Sequence, residues 1–201
     1  MKTNEQETRF ICKDKQIVRD KVLEIATANG GRLFDFYGWG EFYRLVKEKY
    51  PWLKITSIDN SPRIKHILGK LPGTMFISFT MYVRYAKERN ITFRTLFLDL
   101  CGNYSPKSRK VLRQSTIIME KSGVILITLL RGREHEMRSY ECRGNFNTRS
   151  ITNIKLLYKK CGYEILPFWE HSYLSPPPNE TRGTCNMQTI AFRYWKINNT
   201  K

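Results

Sequence analysis

The apolar positions of this chain switch period repeatedly between helix and strand. In DKQIVRDKVLEIATA (14–28), Ile17, Val18, Val22, Leu23, Ile25 and Ala26 fall largely on one helical face, and NGG at 29–31 supplies a stop. RLFDFYG (32–38) then reads as a short buried strand, and EFYRLVKEKY (41–50) as an amphipathic helix closed by Pro51. LKITSID (53–59) is a second, β-branched strand. SPRIKHILGKL opens a helix, with Ser61 at its N-cap and Pro62 in its first turn. PGTMFISFT predicts a third strand, MYVRYAKERN a helix, and FRTLFLDL (93–100) a buried strand. SPKSRKVLRQSTIIMEKSG predicts a helix ending at Gly123, followed by GVILITLL (123–130), the most apolar stretch and so a central strand. TRSITNIKLLYKKCG predicts the last helix; GYEILPFWE and NMQTIAFRYWKI are the closing strands, joined by an irregular loop, HSYLSPPPNETRGTC.

Strands that alternate with helices build a parallel sheet covered on both faces. The last two strands have no helix between them and are expected to pair antiparallel. The expected fold is therefore α/β: a doubly wound, mostly parallel seven-stranded sheet with helices on both faces and an antiparallel C-terminal hairpin. No repeat or composition break divides the chain, so one domain is expected over 1–201, with a tail at 1–13 and a core at 14–197.

Charge narrows the choice of partner. The 201 residues hold 35 Lys plus Arg against 18 Asp plus Glu, a formal charge of +17. Such an excess favours a polyanion, with nucleic acid ahead of an acidic membrane surface, although a lysine-rich surface that serves only stability is the bland alternative. The five cysteines, Cys12, Cys101, Cys142, Cys161 and Cys185, are scattered and show no zinc spacing. A reduced, cytoplasmic compartment is the expectation, with no signal peptide, no membrane span and no metal site.

Candidate chemistry starts at FDFYGWGE (34–41), followed by the carboxylate of SIDNSP. Gly38 and Gly40 fall just past the first strand, at the carboxyl edge where open α/β sheets bind ligands. A pyrophosphate dinucleotide would want G-x-G-x-x-G, but the third position is Tyr43, and Glu41 sits where the phosphates would dock. S-adenosylmethionine carries no phosphate and has a sulfonium cation, which suits carboxylates and aromatic rings. Asp59, ending the second strand, is placed to accept ribose hydroxyl hydrogens, and Asp35 lies near the methionine end. The third possibility is that the glycines merely make a turn.

The order of elements, the turn D35-F-Y-G38-W-G40, the acidic strand end in SIDNSP, the strand ending LFLDLCGN and the hairpin GYEIL…MQTIAFRYW together resemble a class I S-adenosylmethionine-dependent methyltransferase, across about residues 14–197. The glycines fall one place early relative to that family's first motif, and ISFT offers Ser78 where the family has an acid after the third strand. The resemblance implies S-adenosylmethionine as cofactor. It implies cofactor contacts at Gly38, Gly40 and Asp59, with Asp35 next, and in the adjoining positions Phe36, Tyr37, Asn60 and Ser78. It also implies an active-site role for Asp99, in DLCG, where amine-methylating members carry an acceptor that orients the target lone pair; positioning of that kind supplies much of a displacement reaction's rate. A strand-end aspartate that caps a turn is the plain alternative. Tyr104, just beyond, is a candidate to stack on a base, and Cys101 is better read as a small buried thiol than as a nucleophile.

Two basic segments follow the fourth and fifth strands: PKSRKVLR (106–113) and RGREHEMRSYECRGNFNTR (131–149). Their arginines suit phosphate recognition, with Arg131 and Arg133 nearest the strand and Arg113 expected to face the same edge. Phe168, Trp169, His171 and Tyr173 are candidates to stack on exposed bases, with Trp169 and His171 put forward as substrate contacts. The leading expectation is a methyltransferase for RNA or DNA, with a protein partner left open. Its rivals are a nucleic-acid-binding protein on a degenerate methyltransferase fold, and a methyltransferase for a protein or small molecule.

Overall fold

A computed structural model describes residues 13–36, 40–100, 104–130, 146–175 and 185–197. In chain order its elements are α1 (Lys13–Asn29), β1 (Arg32–Phe36), α2 (Glu41–Lys49), β2 (Lys54–Asp59), a single 3-10 turn at Pro62–Ile64, β3 (Thr74–Phe76), α3 (Phe79–Glu88), β4 (Phe93–Asp99), α4 (Pro106–Ser115), β5 (Met119–Leu130), α5 (Phe146–Lys160), β6 (Tyr163–Ser175) and β7 (Cys185–Lys196). Seven strands form one sheet in the order β3-β2-β1-β4-β5-β7-β6. The pairs among β1 to β5 are parallel, whereas β7 runs antiparallel to both β5 and β6. The expected fold class is what the structure has.

Alternation along the strands divides the core into two layers. Leu33, Phe97 and Leu126 face one way and pack with Val22 and Leu23 of α1 and Phe42 and Val46 of α2. Phe34, Leu96 and Ile125 face the other way, against Tyr82 of α3, Leu112 of α4 and Tyr158 of α5. Strand order reverses between β1 and β4, so their carboxyl ends flank the switch point where sheets of this type open a crevice.

Several boundaries differ from the sequence reading. The helix expected through Gly123 stops at Ser115, and β5 begins at Met119. The β-branched run Thr116-Ile117-Ile118 ends the helix, and the Ile118 carbonyl then accepts from the Phe93 amide at 2.8 Å. The third strand shrinks to Thr74–Phe76, because Ser78 caps α3 and commits the following residues to helix. The helix expected after Ser61 is only a 3-10 turn with further turns behind it. The closing strands reach Ser175 and back to Cys185, so residues 171–175 and Cys185, expected in the loop, belong to the hairpin strands. β6 lies at the sheet edge, where Pro167 is tolerated because an edge strand has amides facing away from the ladder.

Candidate functional site

The site sits at the carboxyl ends of β1, β2 and β4. Asp35, the fourth residue of β1, lies on the α1–α2 side of the sheet with Leu33, opposite its neighbours Phe34 and Phe36. It is only 1% exposed, and its Oδ2 has no hydrogen-bond partner among the described residues. Burial holds its carboxyl well above the usual carboxylate range, and the charge of Asp99 pushes the same way. Arg19, Lys15 and the Phe36 backbone act against them and do not prevail.

Asp99 ends β4 beside the switch point, and its Oδ2 is 3.4 Å from the Lys15 ammonium. One turn further along α1, Arg19 is buried and pairs with Glu41, the first residue of α2. Two cations of the first helix therefore bridge the ends of β4 and α2, with Asp35 in the field of both. The sequence reading missed Lys15 and Arg19. Their i,i+4 spacing near the start of α1 was visible, but the carboxylates that use them are remote in sequence. Glu41, read only as an obstacle to pyrophosphate, has its charge neutralised by Arg19.

Gly40 is buried and left-handed, with φ 77°, and it caps α2 through the Gly40 carbonyl, which accepts from the Arg44 amide at 2.9 Å. A left-handed residue at this turn explains why the second glycine of the motif is a glycine. Asp59 ends β2 half-buried, and its Oδ1 accepts the Ser61 amide at 2.7 Å, which fixes the turn and the carboxylate together. Asn60 beside it is exposed. Phe36 packs edge-on against Phe34 and Phe79, toward the α3 layer.

Other candidates sit differently from expectation. The Ser78 hydroxyl accepts the Met81 amide at 3.4 Å, so it serves as the α3 N-cap. Tyr104 is in the core, and its hydroxyl donates to the Asn153 carbonyl at 3.2 Å; burial takes its ring away from the base-stacking role considered for it. Trp169, His171 and Tyr173 are alternate residues of β6, the last two from the expected loop, and form a stacked ladder with centroids 6.0 and 6.1 Å apart. His171 lies in one cross-strand row with Thr189, Thr128 and Asp99. Three strand spacings, about 14 Å, separate it from Asp99. Arg113 does not face the carboxyl edge: α4 runs antiparallel to the strands, which puts it in the last turn at the opposite end. Tyr37, Gly38, Cys101, Arg131 and Arg133 lie outside the described residues, as do Arg138, Arg143 and the side chain of Arg149.

The described residues contain no group of three or more His, Cys, Asp or Glu able to hold a metal ion, and no helix among them is long and apolar enough to cross a membrane. Among the described residues, the edge presents four carboxylates, Asp35, Glu41, Asp59 and Asp99, with the cations Lys15 and Arg19 beside them. A ligand with positive charge and hydroxyl donors fits that set, and a pyrophosphate does not.

No protein-family model matches the sequence, and no curated protein matches it either. Solved structures do. TYW2 of M. jannaschii, in complex with AdoMet, superposes with a TM-score of 0.58 at 13% identity, over 96% of this chain and 81% of that one. A precorrin-6y C5,15-methyltransferase from Geobacter metallireducens gives 0.53 at 14% identity, over 94% and 92%. A Streptococcus mutans protein described as a SAM-dependent methyltransferase gives 0.57 at 15% identity over 90% of this chain, which spans only 49% of that protein's length. The chain has the fold of the class I S-adenosylmethionine-dependent methyltransferases.

Proposed function

We propose that this chain is an S-adenosylmethionine-dependent methyltransferase whose substrate is a nucleic acid. The observation that carries the first half is the carboxylate set at the switch point, above all the buried Asp35 with an unpartnered oxygen beside Asp99. Asp59, oriented by Ser61, would accept the ribose hydroxyls. Asp35 would meet the cationic methionine end, aided by the turn at Gly40 and, in the sequence, Gly38. When bound, the cofactor supplies an electrophilic methyl group.

Asp99 would accept a hydrogen bond from the incoming nucleophile and hold its lone pair in line. Lys15, with its ammonium 3.4 Å from Oδ2, holds that carboxylate in place. The charge of +17 supports the nucleic-acid half.

The test has two stages. Calorimetric titration of S-adenosylmethionine and S-adenosylhomocysteine should show binding by the wild type and its loss in Asp59→Ala. Labelled methyl should then pass from the cofactor to RNA or to DNA. Cofactor binding with no transfer to either polymer would remove the substrate assignment; no cofactor binding at all would leave a nucleic-acid-binding protein on a methyltransferase fold.

A further inference from the structure

On the far side of the sheet from Lys15, Arg19 and Glu41, a cleft of about 290 Å³ opens between α4 and α5. Tyr104, Asn153, Leu157 and Cys161 line it, and Arg109, Arg113 and Lys160 give it charge. Among the described residues, neither Arg109 nor Arg113 is paired with a carboxylate.

The helices around this cleft are unusual in their charge. PKSRKVLRQS of α4 and FNTRSITNIKLLYKK of α5 contain no Asp or Glu. The opposite layer mixes signs, and its helices use the acids: Arg19 pairs with Glu41, Lys21 with Glu24 and Lys49 with Asp20. Helix stability accounts for part of the α4–α5 pattern, since cations in a last turn, such as Arg113 and Lys160, complement the helix dipole. It does not account for α4's start, where Lys107 and Arg109 stand near the positive end of the dipole with no acid in the first turn. Helix formation alone would favour the reverse. Gathering these cations around a recess also costs repulsion that a bound polyanion would relieve.

We propose that the α4–α5 cleft seats phosphates of a nucleic-acid backbone. Arg109 and Arg113 are one helical turn apart, about 6 Å between Cβ atoms, and their planar guanidinium groups suit phosphate oxygens. Lys160 faces them from α5. The face would hold the polymer in register while a separate portion reaches the strand edge; backbone contacts of this kind position a nucleic acid without reading its sequence. The inference takes its ligand from the nucleic-acid half of the proposed function, but it requires neither cofactor binding nor methyl transfer.

The experiment measures the dissociation constant of a fluorescein-labelled RNA oligonucleotide, and of the matching DNA duplex, over a salt series. Three proteins are compared: wild type, Arg109→Ala/Arg113→Ala/Lys160→Ala, and a control with equal charge loss on the other layer, Arg44→Ala/Lys49→Ala/Lys70→Ala. Each lost phosphate contact lowers the slope of log affinity against log salt by about 0.7–0.9, so the cleft variant should lose about 2. Its dissociation constant at moderate salt should rise on the order of tenfold or more. The control should change much less. Equal losses in both variants, or none in the cleft variant, would overturn the proposal.

Cys161 gives a second reading that needs no substitution. Its alkylation, followed by mass spectrometry of its own peptide, should slow when the oligonucleotide is added to the wild type; an unchanged rate counts against the cleft. Phosphatidylserine vesicles form a separate arm, and binding to vesicles but to neither oligonucleotide also overturns the proposal. Oligonucleotide binding without cofactor binding would sink the enzymatic reading and leave this one standing.

Discussion

Asp59→Asn separates the structural work of that side chain from its proposed binding work. The asparagine carbonyl can still accept the Ser61 amide, the 2.7 Å bond that fixes the turn after β2. What the substitution removes is the charge. A hydrogen bond to a charged group contributes about 1.5–3 kcal/mol, against about 1 kcal/mol for a neutral one. Losing the charged character of the ribose contacts should therefore cost roughly 1–3 kcal/mol of cofactor affinity, which is about 5- to 150-fold in the dissociation constant. The turn is kept and the residue is only half-buried, so unfolding free energy should stay within about 0.5 kcal/mol of wild type. Asp59→Ala, which also loses the Ser61 bond, should be less stable by about 1 kcal/mol and bind at least as weakly. Calorimetry gives the affinities and urea denaturation the stabilities. A folded Asp59→Asn protein that binds S-adenosylmethionine within twofold of wild type would refute the assignment of Asp59 to the ribose.

Three further perturbations test the surroundings. Gly40→Ala forces a Cβ onto a left-handed residue and should destabilise the protein by about 1–2 kcal/mol, read as a lower urea midpoint; no change would mean that the turn relaxes freely. Asp35→Asn should flatten the acid limb of the stability profile. Because burial raises the folded-state pKa of Asp35, its contribution is fully present below the ordinary aspartate value and is lost as pH rises from about 4 through the raised value, and parallel profiles for the two proteins would count against a buried protonated carboxyl. Gly123→Ala would bring a Cβ to 2.0 Å from the Arg94 carbonyl oxygen of the neighbouring strand, so soluble yield and melting temperature should fall by the equivalent of about 1–3 kcal/mol.

The parts of this fold that could be read from sequence are those whose cause is local. LFLD and ILITL are buried on both faces, and their uninterrupted apolar runs reveal β4 and the core of β5. Asp35 between two phenylalanines already says that one carboxylate faces away from both rings. That it would be enclosed by Arg19 and Lys15 depends on how α1 crosses the strand ends, and nothing local encodes it. Thr74–Phe76 is too short to show a period, and the end of α4 was hidden because Ile117, Ile118 and Met119 continue an apolar pattern that suits either helix or strand. Of the ladder, Trp169 falls in the expected strand, whereas His171 and Tyr173 fall in the expected loop because a histidine and a serine interrupt the hydrophobic run. In an edge strand, polar residues are expected and signal no break.

The distribution of charge ties the two proposals together. In a protein at +17, the described residues at the carboxyl edge nonetheless gather Asp35, Glu41, Asp59 and Asp99, and offset them in part with Lys15 and Arg19. Burying Asp35 with its Oδ2 unpartnered costs stability, so its place next to Asp99 is hard to explain by folding alone. A cationic ligand would recover that cost on binding, and would draw the Asp35 proton off as it did so. Cofactor affinity should accordingly strengthen as pH rises toward and through the raised value of Asp35, with proton release in the titration. Calorimetry in two buffers of different ionisation enthalpy would detect that proton, and Asp35→Asn should abolish it. If both proteins bind with the same proton count and the same pH profile, the buried carboxyl takes no part in holding the cofactor. The acidic edge would then be a structural arrangement, leaving the basic α4–α5 face as the surface that defines what this protein binds.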